Sequence, residues 1–220
     1  MTRIAIIGGH GKVALELSRI LSGEGMDVTS FIRNPDHRED VAATGATPVV
    51  LDVEHSTTAE IAEAFGNHDA VVWSAGAGGG GSPERTYAVD RDAAIRSMDA
   101  AAAAGVGRYI MVSYLGAGPD HGVPEDNGFF VYAEAKAAAD AYLRGTDLDW
   151  TILGPGALTD GPGNGLIEVN PADTSDGSET ARANVALVAA AVLGLPSTAG
   201  RTIEFRDGTL PLAAALEPVS

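Results

Sequence analysis

Hydrophobic and polar positions along the 220 residues follow two rhythms. Short aliphatic and β-branched runs bounded by turn formers predict strands. Longer stretches with apolar residues three and four apart predict helices. Ile4 to Ile7 reads as a buried strand, and in "KVALELSRILSGEG" Val13, Leu17, Ile20 and Leu21 share a helical face that Gly23 and Gly25 can close. "DVTSFI" predicts strand two, "PDHREDVAATG" a short helix from Pro35 to Gly45, and "TPVVL" strand three. "TTAEIAEAF" predicts a helix that opens with Thr57 and Glu60 at capping-box spacing. "AVVWSA" predicts strand four, residues 83–104 a long alanine-rich helix, "RYIMVS" strand five, "FVYAEAKAAADAYLRG" a helix and "DWTIL" strand six.

Strands that alternate with helices of this length imply right-handed crossovers and a mainly parallel sheet covered on both faces. The expected fold is therefore α/β and doubly wound, one domain over residues 1–220 with a small C-terminal cap. After strand six the order loosens in "GPGALTDGPGNG" and "NPADTSDGSE", so 154–178 is expected to form a substrate lid or wall. "ARANVALVAAAVL" then returns to helix, "RTIEF" to strand and "LPLAAALE" to a short terminal helix.

Charge and composition narrow the partners. With 14 basic against 30 acidic residues the net charge is −16, which opposes nucleic acid and anionic membrane surfaces alike. Cysteine is absent, so disulfides, thiolate metal sites and a cysteine nucleophile are excluded. The apolar start, Ile4 to Ile7, is too short for a signal peptide, and "VALVAAAVLGL" is too short to span a bilayer. A soluble, cytoplasmic protein is expected. The five histidines are scattered without metal-ligand spacing, and no G-x-S-x-G elbow is present. The alanine-rich helices at 83–104 and 130–144 offer faces either for a homodimer or for cover within one chain.

"IAIIGGHGKVAL" sets Gly8, Gly11 and Ala14 three apart at a strand–turn–helix junction. Gly8 permits the tight turn, Gly11 lets a pyrophosphate approach the backbone, and Ala14 lets the helix sit close on the sheet. The helix N-terminus then attracts phosphate against the acidic whole, with Gly9, His10, Lys12 and Val13 in the same cradle. Strand two ends on Arg33, 22 residues after Gly11, where an NAD-binding chain would carry an acidic ribose reader. A guanidinium suits a 2′-phosphate, so NADP is the expected cofactor and NAD the less favoured one. Asp52 and Val53, which end strand three, are where an adenine would rest. Ser74, Ala75 and Gly76 end strand four beside the cofactor's path, and Gly78 to Gly81 reads as a flexible connection.

Tyr132 and Lys136 lie four apart on a predicted helix, and Lys136 is one of two lysines in the chain. That spacing sets both side chains on one face, where an ammonium would favour phenolate and lower a pKa that starts near about 10. No other tyrosine has a lysine four residues on. Taken with "VSYLGA" and "GPGALTD", these motifs resemble the atypical short-chain dehydrogenase/reductases, nearest the NmrA-like and flavin-reductase-like small branch, over about residues 3–215. The resemblance implies a Rossmann fold. It also implies that Tyr132 exchanges a proton in a hydroxyl–carbonyl interconversion, that Lys136 holds the nicotinamide ribose, and that Ser113 hydrogen-bonds the substrate oxygen. Pro155 is implied as a cofactor contact. Two positions depart from the pattern: Tyr114 follows Ser113, and Gly154 stands where the family shows arginine. The function implied is reduction of a small carbonyl, quinone or flavin-like acceptor by NADPH. A non-catalytic NADP sensor is the alternative, and a sugar epimerase or dehydratase would need a larger C-terminal substrate domain.

Overall fold

The computed structural model describes residues 1–77, 82–172 and 178–217; the Gly78–Gly81 connection lies outside them. Its centre is strand β1 (Arg3–Ile7), which pairs in parallel with β2 (Asp27–Ile32) on one side and β4 (Ala70–Trp73) on the other. β3 (Thr47–Val50) flanks β2; β5 (Arg108–Val112), β6 (Asp149–Pro155) and β10 (Arg201–Asp207) extend the parallel sheet beyond β4. With β8 (Leu166–Val169) and β11 (Leu210–Pro211) at the far edge, the order β11-β8-β10-β6-β5-β4-β1-β2-β3 confirms the expected doubly wound class.

Strand side chains alternate between two cores, as a period of two requires. Ile4 and Ile6 face α1 (Lys12–Gly23) and α7 (Arg182–Leu193). Ala5 and Ile7 face α3 (Thr58–Phe65) and α5 (Ala94–Ala103). β4 repeats the division, with Val72 on the first side and Val71 and Trp73 on the second. Every strand of this central set is thus buried on both faces, which explains why its sequence reads as unbroken apolar runs rather than as alternation.

Three stretches differ from the reading of the sequence. The expected long helix over 83–104 is a short α4 (Pro83–Thr86), a π-helical segment at Tyr87–Ala93 and then α5. The π segment holds Asp90 inward, 1% exposed, which a sequence rhythm of 3.6 does not reveal. The helix expected from Pro35 is a 3-10 turn at Pro35–His37 followed by α2 (Arg38–Ala42). Part of the segment 154–178, expected to be a lid or wall, is sheet: β7 (Ala157–Thr159) pairs with β9 (Glu179–Ala181) just beyond it, and β8 (Leu166–Val169) runs antiparallel beside β10, with β11 (Leu210–Pro211) outside β8, while 173–177 lie outside the described residues. Glycine and proline around these short strands masked them. Gly156 is forced by this arrangement, since a Cβ there would sit 1.7 Å from the Ser178 carbonyl oxygen.

The capping box is real. Thr57 Oγ1 accepts from Glu60 N, while the Glu60 carboxylate accepts from Thr57 N at 2.7 Å, so two otherwise orphaned donors of α3 are met. Thr57→Ala is expected to cost about 1 kcal/mol of stability by urea unfolding, the usual worth of an N-cap; no loss would mean that α3 is held by packing alone.

Candidate active and cofactor site

The crevice opens at the carboxyl end of β1, where the strand order runs outward through β2 on one side and β4 on the other. Gly8 turns at φ +78°, and a Cβ on it would meet the Ala75 backbone at 2.7 Å, so the end of β1 lies directly against the end of β4. Gly11 N donates to Gly8 O at 2.8 Å, which closes the turn and starts α1. No side chain caps α1, leaving its first amide groups for a ligand. A cradle without Cβ atoms, ahead of an uncapped helix, fits a pyrophosphate.

Beside it is a cavity of about 330 Å³ whose walls include Gly8, His10, Gly11, Arg33, Asp52, Val53, Ser74, Ala75 and Gly76. These nine of the sequence-predicted contacts come together. Gly9 and Val13 do not line it: Gly9 packs against Ser30 and donates to Phe31 O, and Val13 is in the core. Lys12 points elsewhere, its Nζ 2.6 Å from Asp160 Oδ2. Pro155 is buried in β6, where its carbonyl accepts from Leu115 N. His10 stacks on His37 at 3.5 Å between ring centres and bonds Asp40 through Nε2 at 2.8 Å. Glu54 and Arg85, which also line the cavity, carry no local signal, because their meeting depends on a contact between positions 31 residues apart.

The second cluster sits at the end of β5 and on α6 (Phe130–Arg144). Tyr132 forms an aromatic wall with Phe129 and Tyr114, with ring centres 5.1 to 5.7 Å apart. Lys136 is 1% exposed, and its Nζ donates to Val112 O at 2.8 Å and contacts Met111 Sδ at 3.4 Å. Behind it lie two buried carboxylates that sequence reading missed. Asp90 accepts from Ala77 N at 2.9 Å; Asp140, one turn beyond Lys136, accepts from Ser113 Oγ at 2.6 Å. The second oxygen of Asp140 has no hydrogen-bond partner among the described residues.

Two expectations change here. Tyr132 is not lowered: burial pushes the phenol well above its usual range, and Asp90, Asp140 and Tyr114 push the same way. The Lys136 ammonium bonds the β5 backbone at Val112 O. Tyr114 is likewise raised, to about 12, by burial and then by Asp140 and Glu134. Ser113, expected to donate to a substrate oxygen, has its hydroxyl proton on Asp140 and offers acceptor lone pairs instead. Gly154 in β6 leaves room that Glu204 takes: a Cβ would meet Glu204 Cγ and Tyr114 O at 3.1 Å, and Glu204 Oε1 accepts from Gly116 N at 2.9 Å. An arginine there would have to displace that link.

Comparison with known proteins places the chain. Residues 8–196 match the NAD(P)H-binding family, and the chain belongs to it. A Bacillus subtilis (strain 168) protein that carries the name uncharacterized sugar epimerase YhfK is 32% identical over 216 residues, 98% of this chain and 99% of its own. A Bacillus halodurans structure, provisionally named an NAD-dependent epimerase/dehydratase, shares 30% identity and a TM-score of 0.91 over 100% of both chains. The oxidoreductase ylbE from Lactococcus lactis shares 28% identity and a TM-score of 0.86, covering 98% of this chain and 95% of that one. The resemblance to atypical short-chain dehydrogenase/reductases is therefore borne out. The fold is the NAD(P)-binding, oxidoreductase-like one, and its cofactor is a nicotinamide dinucleotide. No helix among the described residues is long and apolar enough to cross a membrane.

The buried charges make a stability prediction. Burial lowers Lys136 and raises Asp90 and Asp140, while the lysine and the carboxylates each favour the other's charged form. Lys136→Met removes the single cation of the trio and should cost roughly 3–5 kcal/mol at pH 8. Both carboxyl groups have folded pKa values above their unfolded ones, so the folded state binds the extra protons and stability falls as pH rises through the folded values. Urea unfolding at pH 5 should accordingly recover part of the loss. A variant as stable as the parent at pH 8 would show that the trio carries no such charge.

Proposed function

We propose that this member of the NAD(P)H-binding family is an NADP-dependent oxidoreductase that reduces a small carbonyl, quinone or flavin-like acceptor. The observation that carries the cofactor half is Arg33, on the wall of the crevice at the end of β2 where an NAD reader would be acidic. A guanidinium there suits the 2′-phosphate of NADP. The acceptor half is supported by the Tyr114, Phe129 and Tyr132 wall, an aromatic surface of three rings tilted 42 to 85° to one another, better matched to a conjugated ring than to a sugar's hydroxyl groups.

The glycine turn and the start of α1 would hold the pyrophosphate, and Asp52, Val53 and Ser74 to Gly76 the adenosine. Reduced nicotinamide, when bound, supplies a hydride to the acceptor carbon. Tyr132 would give its phenolic proton to the acceptor oxygen, so that a carbonyl becomes an alcohol, and regain a proton from solvent. The high pKa keeps Tyr132 loaded with that proton across the neutral range. Lys136 would hold the end of β5 in place through Val112 O and present its remaining N–H groups to the cofactor's ribose. Ser113, held by Asp140, would accept rather than donate.

Two other readings have support. Ser113's commitment to Asp140 and the loss of arginine at position 154 favour a redox sensor that binds NADP without turnover. The sugar-epimerase name of the Bacillus subtilis relative favours the third. The main sheet here takes up β8, β10 and β11 from the chain after β6, and the aromatic wall offers a sugar few hydrogen-bonding groups.

Arg33→Ala should weaken NADP about tenfold or more, a loss of about 1.4 kcal/mol, and NAD by less than about twofold in isothermal titration. Equal effects on both would remove the 2′-phosphate argument. Tyr132→Phe should leave NADPH binding intact and cut carbonyl turnover by about 10²–10⁴-fold. Unchanged turnover would discard the proton transfer, and saturable NADPH binding with no oxidation across carbonyls, quinones and flavins would favour the sensor.

A further inference from the structure

Glu54 occupies the crevice wall between two cations. Its Oε2 lies 3.4 Å from Arg33 NH1 and 3.4 Å from Arg85 Nε, and all three side chains line the same cavity. The carboxylate is the better anchored party. Its side chain is 15% exposed, against 56% for Arg33 and 34% for Arg85. Arg96 NH2 donates to the carbonyls of Val53 and Glu54 at 3.0 and 2.8 Å, and Glu54 N donates to Asp52 Oδ1 at 3.1 Å. The loop after β3 is thus pinned from α5, and one acidic group is held where both guanidinium groups can reach it. At 3.4 Å neither pair has the short, bidentate geometry of a strong arginine–carboxylate contact.

We infer that Glu54 is a specificity-determining residue that competes with the coenzyme's 2′-phosphate for Arg33 and Arg85. This rests on the NADP reading above. A phosphate monoester carries about −1.5 to −2 charges at neutral pH, so it can displace a single carboxylate from guanidinium groups that hold it at 3.4 Å, although Arg85 also keeps a bond to the Ala77 carbonyl at 3.1 Å. The fixed negative charge of Glu54 nevertheless opposes it, both by holding the arginines and by repulsion. NAD brings no charge to this point and leaves both pairs intact. Glu54 therefore narrows the gap between the two coenzymes, and Arg85 is the second cation that the phosphate engages.

The test is isothermal titration of the full chain with NADP and with NAD, for the parent, Glu54→Gln, Glu54→Asp and Arg33→Ala. Glu54→Gln is expected to tighten NADP about three- to tenfold, the worth of an exposed pair or two, and to change NAD by less than about twofold. Glu54→Asp keeps the charge but withdraws it from both guanidinium groups, and should fall between parent and amide. NADP affinity that stays level or drops in Glu54→Gln, while Arg33→Ala still costs tenfold, would overturn the competition and leave the NADP reading standing. A loss of NAD affinity in Glu54→Gln would overturn it too, since Glu54 would then be a ribose acceptor. Arg33→Ala without effect on NADP would fail the underlying reading instead. Should the amide variant not fold, the aspartate variant carries the comparison: tighter NADP supports competition, and unchanged NADP overturns it.

Discussion

The constraint on which the crevice depends is the contact between Gly8 and Ala75. β1 must end directly beneath the end of β4 for the crevice to have a floor, and at 2.7 Å there is no room for a side chain. The positive φ of Gly8 and its close approach impose the same choice, so the residue answers two demands at once. Everything downstream inherits that geometry. The turn at Gly11 launches α1 over the sheet, Ala14 lets it settle there fully buried, and no side chain caps the start of the helix.

A second constraint works by charge. Asp90, Lys136 and Asp140 are together almost wholly removed from solvent, in a protein whose surface is strongly acidic. Buried ions are expensive unless each is matched, and here two carboxylates share one ammonium while backbone and serine bonds satisfy part of the rest. Such an arrangement is poor at adding stability and good at fixing where α6 and the π segment lie relative to the ends of β4 and β5. The aromatic wall is a consequence, because Tyr132 rides one turn ahead of Lys136 on the same helix.

What could be read from the sequence was whatever is local. Gly8, Gly11 and Ala14 carry their meaning in spacing, Thr57 and Glu60 in a four-residue rule, and the central strands in runs of apolar residues. The pairing of Tyr132 with Lys136 was visible as spacing, but its electrostatic consequence was not. The sign of the phenol's shift is set by burial and reinforced by Asp90, 42 positions away. Asp140 looked like any polar residue of an alanine-rich helix, and nothing near Glu54 in the chain announces Arg85. Strands β7, β8, β9 and β11 were hidden for a different reason: they are two to four residues long and set among glycines and prolines.

The link through Asp160 gives the fold a soft joint. Asp160 follows β7 and accepts from Lys12 beside the glycine turn and from Arg182 at the start of α7, each at 2.6 Å. Exposed ion pairs are worth only about 0–1 kcal/mol each and weaken with salt, so the joint biases the resting position of its loop without locking it. Substitutions that trade one of these charges for another can therefore remodel the neighbouring stretch in small steps without disturbing the rigid sheet beneath.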